Sequence, residues 1–207
     1  MSNAPRKADA SVKCVTVGDG GLGKTCLLTV YVTHQFPEDY VPTVFETYVT
    51  NTPSPLDSSK TVELALWDTA GQEEFDRLRP LSYTDVGVIL ICFAVDYPTS
   101  LENVVDKWWP EVEHFCADVP IVLVGTKTDL RRDKHTLDML KAQGLRPVTP
   151  QQAQVVADKI GARYAECSAR NNDGVDNVFN IAMTLALRRR TGASAARKRK
   201  RGDCTIL

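Results

Sequence analysis

The apolar residues of this chain fall into six short blocks, with periodic or polar segments between them. Val12–Val17 ("VKCVTV") is β-branched and stops at Gly18, which reads as a strand running into a turn. Val44–Thr50 predicts a second strand, and Thr61–Asp68 alternates apolar with other positions as a third. Val86–Asp96 and Val119–Asp129 are near-continuous apolar runs, as strands covered on both faces require. Arg163–Ala169 is a final short strand. Helical spacing predicts helices over Lys24–Phe36, over Ser100–Cys116 with Ser100 as cap and Asn103 at its third position, and over Thr149–Ala162, which closes on Gly161. A charged helical excursion is expected at Leu130–Gly144, and a last helix at Asp173–Arg190 carries its cations where the dipole favours them. The proline-bearing stretch after Phe36 begins as a loop, and Asn51–Ser59 reads as a turn-rich connection. Strands alternating with helices argue for an α/β fold with a mostly parallel sheet, whose ligands sit beyond the carboxyl ends of the strands.

Length and composition keep this picture within one folded unit: 207 residues, 43% hydrophobic and 25% charged. No apolar run is long enough to span a bilayer, and the first residues lack the apolar stretch of a secretory signal. Six cysteines show no CxxC pair and several lie in apolar runs, which reads as buried thiols of a cytosolic protein. The net charge of −1 hides a segregation. Eight of the 25 basic residues and one of the 26 acidic ones fall in residues 188–207, leaving the body at −8 and the tail at +7. A nucleic-acid-binding globule would spread its basic surface over the fold, so no nucleic acid partner is expected.

The strand ends carry the chemistry. Gly18-Asp19-Gly20-Gly21-Leu22-Gly23-Lys24-Thr25 fits G-x-x-x-x-G-K-T between a strand and a helix. Glycines let backbone N–H groups converge on phosphates at a helix N-terminus, Lys24 reaches the β- and γ-phosphates, and the Thr25 hydroxyl can ligate Mg²⁺. Asp68-Thr-Ala-Gly71-Gln72 follows the next strand: a carboxylate for the metal, a Gly71 N–H for the γ-phosphate, and Gln72 to position an attacking water. Thr126-Lys127-Thr128-Asp129 ends another strand, where the Asp129 carboxylate can accept from the two adjacent donors of guanine and the Lys127 stem can lie along the purine. Ser168-Ala169-Arg170 ends the last, where a backbone N–H can meet the guanine oxygen. Singly, these read as turns and strand ends.

Together, and in this order, the four motifs resemble those of the Ras superfamily of small GTP-binding proteins. "YVPTVFETY", "WDTAGQEEFDRLRPLSY", "TKTD" and the charged segment after Leu130 resemble the Rho family in particular, and "NTPSPLDSSKT" with the N-terminal extension is similar to a fungal septation and cell-wall branch. The resemblance implies a P-loop small G-protein fold, with six mostly parallel strands flanked by helices and a Rho-type insert helix at about 131–144. It divides the chain into a flexible extension at 1–12, a GTP-binding domain at 13–187 and a polybasic, prenylated tail at 188–207. It implies GTP or GDP with Mg²⁺ as ligands, and hydrolysis of GTP. Thr43 joins Thr25 and Asp68 at the metal and reaches the γ-phosphate; Tyr40 covers the phosphates; Phe36 packs against guanine; Cys26 lines the site. Catalysis falls to Gln72, Lys24, Thr43 and Gly71. Gly21 and Leu22 stand where the family usually has alanine and cysteine, Thr126 where asparagine is usual, and Arg170 where lysine is common.

The partners implied are an exchange factor, a GTPase-activating protein, a GDP-dissociation inhibitor, and effectors that bind through Val41–Glu46 and switch two, the segment that holds Gly71 and Gln72; the protein itself is expected to be a monomer. The ending "RKRKRGDCTIL" matches C-a-a-X with leucine last, which implies geranylgeranylation at Cys204, and Arg197–Arg201 would supply the second signal for an anionic membrane. That places the chain on the cytoplasmic face of the cell membrane, cycling with the cytosol; the basic run also fits a nuclear address. The rival readings are a P-loop kinase or ATPase and a Rho-like module with negligible hydrolysis. Asp129 argues against the first, and Gly20 with Gln72 against the second.

Overall fold

The computed structural model describes residues 8–38 and 45–202, the last of them as backbone only beyond Thr191. Six strands, β1 (Ala10–Val17), β2 (Phe45–Ser54), β3 (Asp57–Thr69), β4 (Val88–Ala94), β5 (Ile121–Thr126) and β6 (Arg163–Glu166), form one sheet in the order β2-β3-β1-β4-β5-β6. Only β2 runs antiparallel to its neighbour; the β3-β1-β4-β5-β6 pairs are parallel. The carboxyl ends of β1, β3, β4, β5 and β6 therefore share one edge.

The period-two rule of strands sorts the core into two layers. Val88, Leu90 and Cys92 of β4 face one way, with Leu64, Leu66 and Val124, and pack against α1 (Lys24–Thr33) and α6 (Val175–Gly202). Ile89, Ile91 and Phe93 face the other way, against Trp108, Val112, Ala153 and Ala157. Those last residues lie on a continuous helix made of α2 (Pro98–Asn103), a π-helical turn (Val104–Trp108) and α3 (Trp109–Cys116), and on α5 (Pro150–Lys159). Tyr31 of α1 stacks on Phe179 of α6 at 3.9 Å. Each fully buried Leu, Ile or Phe stabilises this arrangement by about 1.5–3 kcal/mol. Thr149 and Gln152 close the reciprocal capping box that starts α5, and α4 (Lys134–Ala142) starts on Asp133, which accepts from the Thr136 N–H.

Four expectations change. Residues 10–12 are paired strand, with Ala10 opposite Val62, and Asp9 accepts from the Thr61 N–H at 2.8 Å. Asn51–Ser59 is a hairpin rather than a turn-rich connection: the strand pairing continues to Ser54 and resumes at Asp57. Pro53 is tolerated there because β2 is an edge strand and needs no second ladder. The Ser100 helix starts earlier, at Pro98, whose fixed φ suits a first helical position. Ser100 lies within the first turn, donating to the Tyr97 carbonyl and accepting from the Ala94 N–H. Finally, α6 continues past Arg190 to Gly202, because alanine, arginine and lysine dominate that stretch and no proline interrupts it.

Candidate nucleotide site

At the shared edge lie two adjoining cavities of about 290 and 230 Å³, with Gly23, Cys26, Phe36 and Lys127 common to both linings. The first is bounded by Gly20–Cys26 on one side and by Thr69–Gln72 on the other. The second is bounded by Thr126, Lys127, Asp129, Ala169 and Arg170. One loop-built end and one side-chain-built end thus make a single elongated groove.

At the first end, Gly23 has φ 84 and caps α1 with no side chain, so the first-turn amides point freely into the groove. Lys24 is 6% exposed; its ammonium donates to the Gly18 and Asp19 carbonyls at 2.8 and 2.7 Å and forms no ion pair among the described residues. Burial pulls its pKa below the usual lysine value, against the pull of Asp68 and Asp19. A buried cation held by neutral carbonyls is poised for an anion, and phosphate oxygens supply one. The Thr25 hydroxyl donates to Asp68 Oδ2 at 2.5 Å, and Asp68 is fully buried. A neutral and an anionic oxygen side by side suit Mg²⁺, which prefers hard oxygen ligands shared with phosphates and water.

Gly71 is seated directly on the phosphate-side loop. A Cβ there would fall 2.4 Å from the Asp19 carbonyl carbon and the Gly18 oxygen, so nothing larger than glycine fits. A Cβ on Gly20 would lie 3.9 Å from the Gln72 side chain, which places Gln72 over the loop at the end of the groove.

At the second end, Asp129 Oδ1 accepts from the Ser168 hydroxyl at 2.6 Å, which orients the carboxylate. The strand ends are tied by Thr128 N–H to the Cys167 carbonyl and by Cys167 N–H to the Gly125 carbonyl. Lys127 adopts φ 58 and sends its ammonium 3.7 Å from Asp96 Oδ2, with its stem 3.9 Å from a Cβ built on Gly23.

Several predicted residues act differently from a direct contact. The Asp19 side chain turns away from the groove and accepts from Asn103 Nδ2 and Trp108 Nε1, both at 2.7 Å. Leu22 is 2% exposed and belongs to the core under the loop, so its side chain fills apolar volume and its backbone alone lines the groove. The Thr126 hydroxyl donates to the Leu22 and Phe93 carbonyls at 2.6 and 2.9 Å and joins the two ends of the groove. The Ser168 N–H is spent on the Asp173 carbonyl, which leaves the Ala169 and Arg170 amides at the base end. Tyr40, Thr43 and residues 41–44 of the effector segment lie outside the described residues, as does Cys204. Reading the motifs missed Trp108, Asn103 and Arg79. The last is 4% exposed and donates to the Ala70 carbonyl at 3.2 Å.

A phosphate loop, a carboxylate beside a threonine hydroxyl and a purine cleft beyond the strands of a parallel sheet define a P-loop nucleotide-binding protein of the small G-protein fold. The Ras family model matches residues 13–188, and the chain belongs to that family. Within it, the chain is similar to GTP-binding protein rho4 of Schizosaccharomyces pombe, 59% identical over 184 residues, covering 88% of this chain and 90% of that protein. It is also 60% identical over 173 residues to GTP-binding protein rhoC of Emericella nidulans, covering 84% of this chain and 61% of that longer protein. The protein is thus a fungal Rho-type small GTPase, a switch that binds GTP or GDP with Mg²⁺ and hydrolyses GTP.

Proposed function

We propose that the switch works through the residues gathered in this groove and signals from a membrane surface. Lys24 and the loop amides hold the β- and γ-phosphates, and Thr25 and Asp68, with Thr43 from the segment outside the described residues, hold Mg²⁺. The metal, when bound, neutralises charge that develops on the bridging and γ-oxygens. The Gly71 N–H meets the γ-phosphate, and Gln72 orients the attacking water. Asp129, oriented by Ser168, reads the paired donors of guanine, while the Lys127 stem and Phe36 cover the base. The observation that carries this reading is Gln72 lying over Gly20, where no side chain displaces it.

Among the described residues no arginine lines the phosphate end of the groove, so intrinsic turnover is slow and an activating protein's arginine adds about 10³–10⁵ in rate. An exchange factor, a GDP-dissociation inhibitor and effectors complete the cycle, the last docking on Val41–Glu46 and on the residues after Gly71. Loss of the γ-phosphate releases Thr43 and Gly71 and dissolves that surface. No described helix is long and apolar enough to cross a membrane. The C-a-a-X ending supports prenylation at Cys204, and Arg197–Arg201 add about 1 kcal/mol each near an anionic leaflet. The resemblance of "NTPSPLDSSKT" and the N-terminal extension to a fungal septation and cell-wall branch supports effectors of actin organisation, polarity, septation or cell-wall growth.

Single-turnover GTP hydrolysis by the unprenylated chain, compared with Gln72→Leu, tests the chemistry. The native rate is slow and the variant is roughly 10–10²-fold slower still. Tight GTP binding with turnover that ignores Gln72 would instead identify a persistently loaded module.

A further inference from the structure

Two features stand outside the nucleotide motifs and meet each other: a buried tryptophan on a π-helical turn and a buried arginine after Gln72. Trp108 is fully buried at the last position of the turn Val104–Trp108. Such turns widen a helix locally and recur at functional sites. The Trp108 Nε1–H donates to Asp19 Oδ1 at 2.7 Å, gripping the phosphate loop through a side chain that reads no phosphate. The ring carries the Arg79 guanidinium 4.6 Å from its centroid. That guanidinium is also fixed by Glu111 and Asp76, each at 2.6 Å, and Glu111 in turn accepts from the Tyr83 hydroxyl. Arg79 Nε is left to donate to the Ala70 carbonyl at 3.2 Å.

That last bond carries the consequence. The Ala70 carbonyl and the Gly71 N–H belong to one peptide unit, and a planar trans peptide points the two in opposite directions. Fixing the carbonyl fixes where the N–H aims. Gly71 itself rests on the backbone of Asp19, the residue whose side chain Trp108 holds. Trp108 and Arg79 therefore brace both members of the Gly71–Asp19 contact from outside the groove.

We infer that Trp108 and Arg79 are positioning residues that hold the Ala70–Gly71 peptide in the orientation that presents its N–H to the γ-phosphate, so that they select GTP over GDP without touching either. The inference rests on the proposed role of Gly71. A residue that only supported the fold would affect both nucleotides alike, whereas one that aims a γ-phosphate donor affects the triphosphate alone.

The test uses the unprenylated full chain with Mg²⁺, titrated with fluorescent GDP and with a non-hydrolysable fluorescent GTP analogue. Trp108→Phe keeps an aromatic ring under Arg79 and removes the N–H together with part of the ring volume; Arg79→Lys keeps the charge and removes the Nε–H that reaches Ala70. Each variant is expected to bind the GTP analogue about tenfold more weakly, with GDP affinity within about twofold of native, and single-turnover hydrolysis falls in parallel. The double variant should be no worse than about the poorer single one, as members of one brace are not additive. Equal losses for GDP and the GTP analogue, an unchanged ratio, or additive losses would overturn the inference. If Trp108→Phe fails to fold, Arg79→Lys decides alone. A native chain without Gln72-dependent turnover would instead sink the proposed chemistry, so the two failures are separable.

Discussion

The two ends of the groove are built on opposite plans. At the phosphate end all but one of the contacts come from backbone: uncapped amides of α1 and Gly71 pressed against Asp19 with no room for a Cβ. The exception is the Lys24 side chain, itself held by backbone carbonyls. At the base end they come from side chains that hold one another, Ser168 to Asp129 and Lys127 beside Asp96. Backbone cannot be exchanged residue by residue, so the phosphate end is all-or-none and indifferent to the base. Side-chain pairs can be retuned singly, so the other end sets which purine is accepted. Thr126 belongs to both, since its hydroxyl joins the Leu22 carbonyl of the loop to the end of β4.

Breaking the phosphate end should have the largest effect. Lys24→Ala removes a buried charged donor with bonds worth about 1.5–3 kcal/mol each, so nucleotide affinity falls by about 10²–10³. Competition assays should show that loss for GTP and ATP alike. Asp129→Ala comes next. It leaves the loop intact and removes the acceptor for two guanine donors, so GTP affinity falls by about 10–10²-fold while weak ATP binding is untouched. Displacement of labelled GDP by each nucleotide reads the narrowed preference; an equal loss for both would contradict the division between the ends. Smallest is Thr126→Val, which keeps the shape and deletes the joint. About 1 kcal/mol of stability is lost, seen as a fall of roughly 2–4 °C in the melting temperature of the GDP-bound chain.

Much of this was legible before any coordinates. Gly18–Thr25, Asp68–Gln72, Thr126–Asp129 and Ser168–Arg170 each sit where an apolar run ends, and strand ends in a parallel sheet must meet at one edge. What periodicity and spacing do not carry is the direction of a side chain at such an end. Asp19 and Thr126 were expected at the ligand because of their motifs; one instead reaches Asn103 and Trp108, and the other reaches Leu22 and Phe93. The Arg79–Glu111–Trp108 cluster joins residues from two segments distant in sequence, so no local pattern announces it. The hairpin at Asn51–Ser59 was hidden for another reason: Pro53 and Pro55 weigh against a strand in any local reading, and an edge position, which excuses them, is known only once the sheet order is known.

That hairpin also bears on how the fold can change over generations. Pro53 pairs with Thr61, yet its neighbour Ser54 pairs with Asp57, so Ser58–Lys60 are surplus residues taken up on one strand alone. An extra residue in a regular ladder would flip every later side chain to the wrong face. Here the irregularity absorbs the difference at the end of the hairpin remote from Phe45 and Thr69, which pair beside the groove. Insertions and deletions at this site can therefore accumulate in any number, odd or even, while Leu64 and Leu66 stay in the core. The hairpin tip is a place where lineages can diverge in length and surface without resetting the timer.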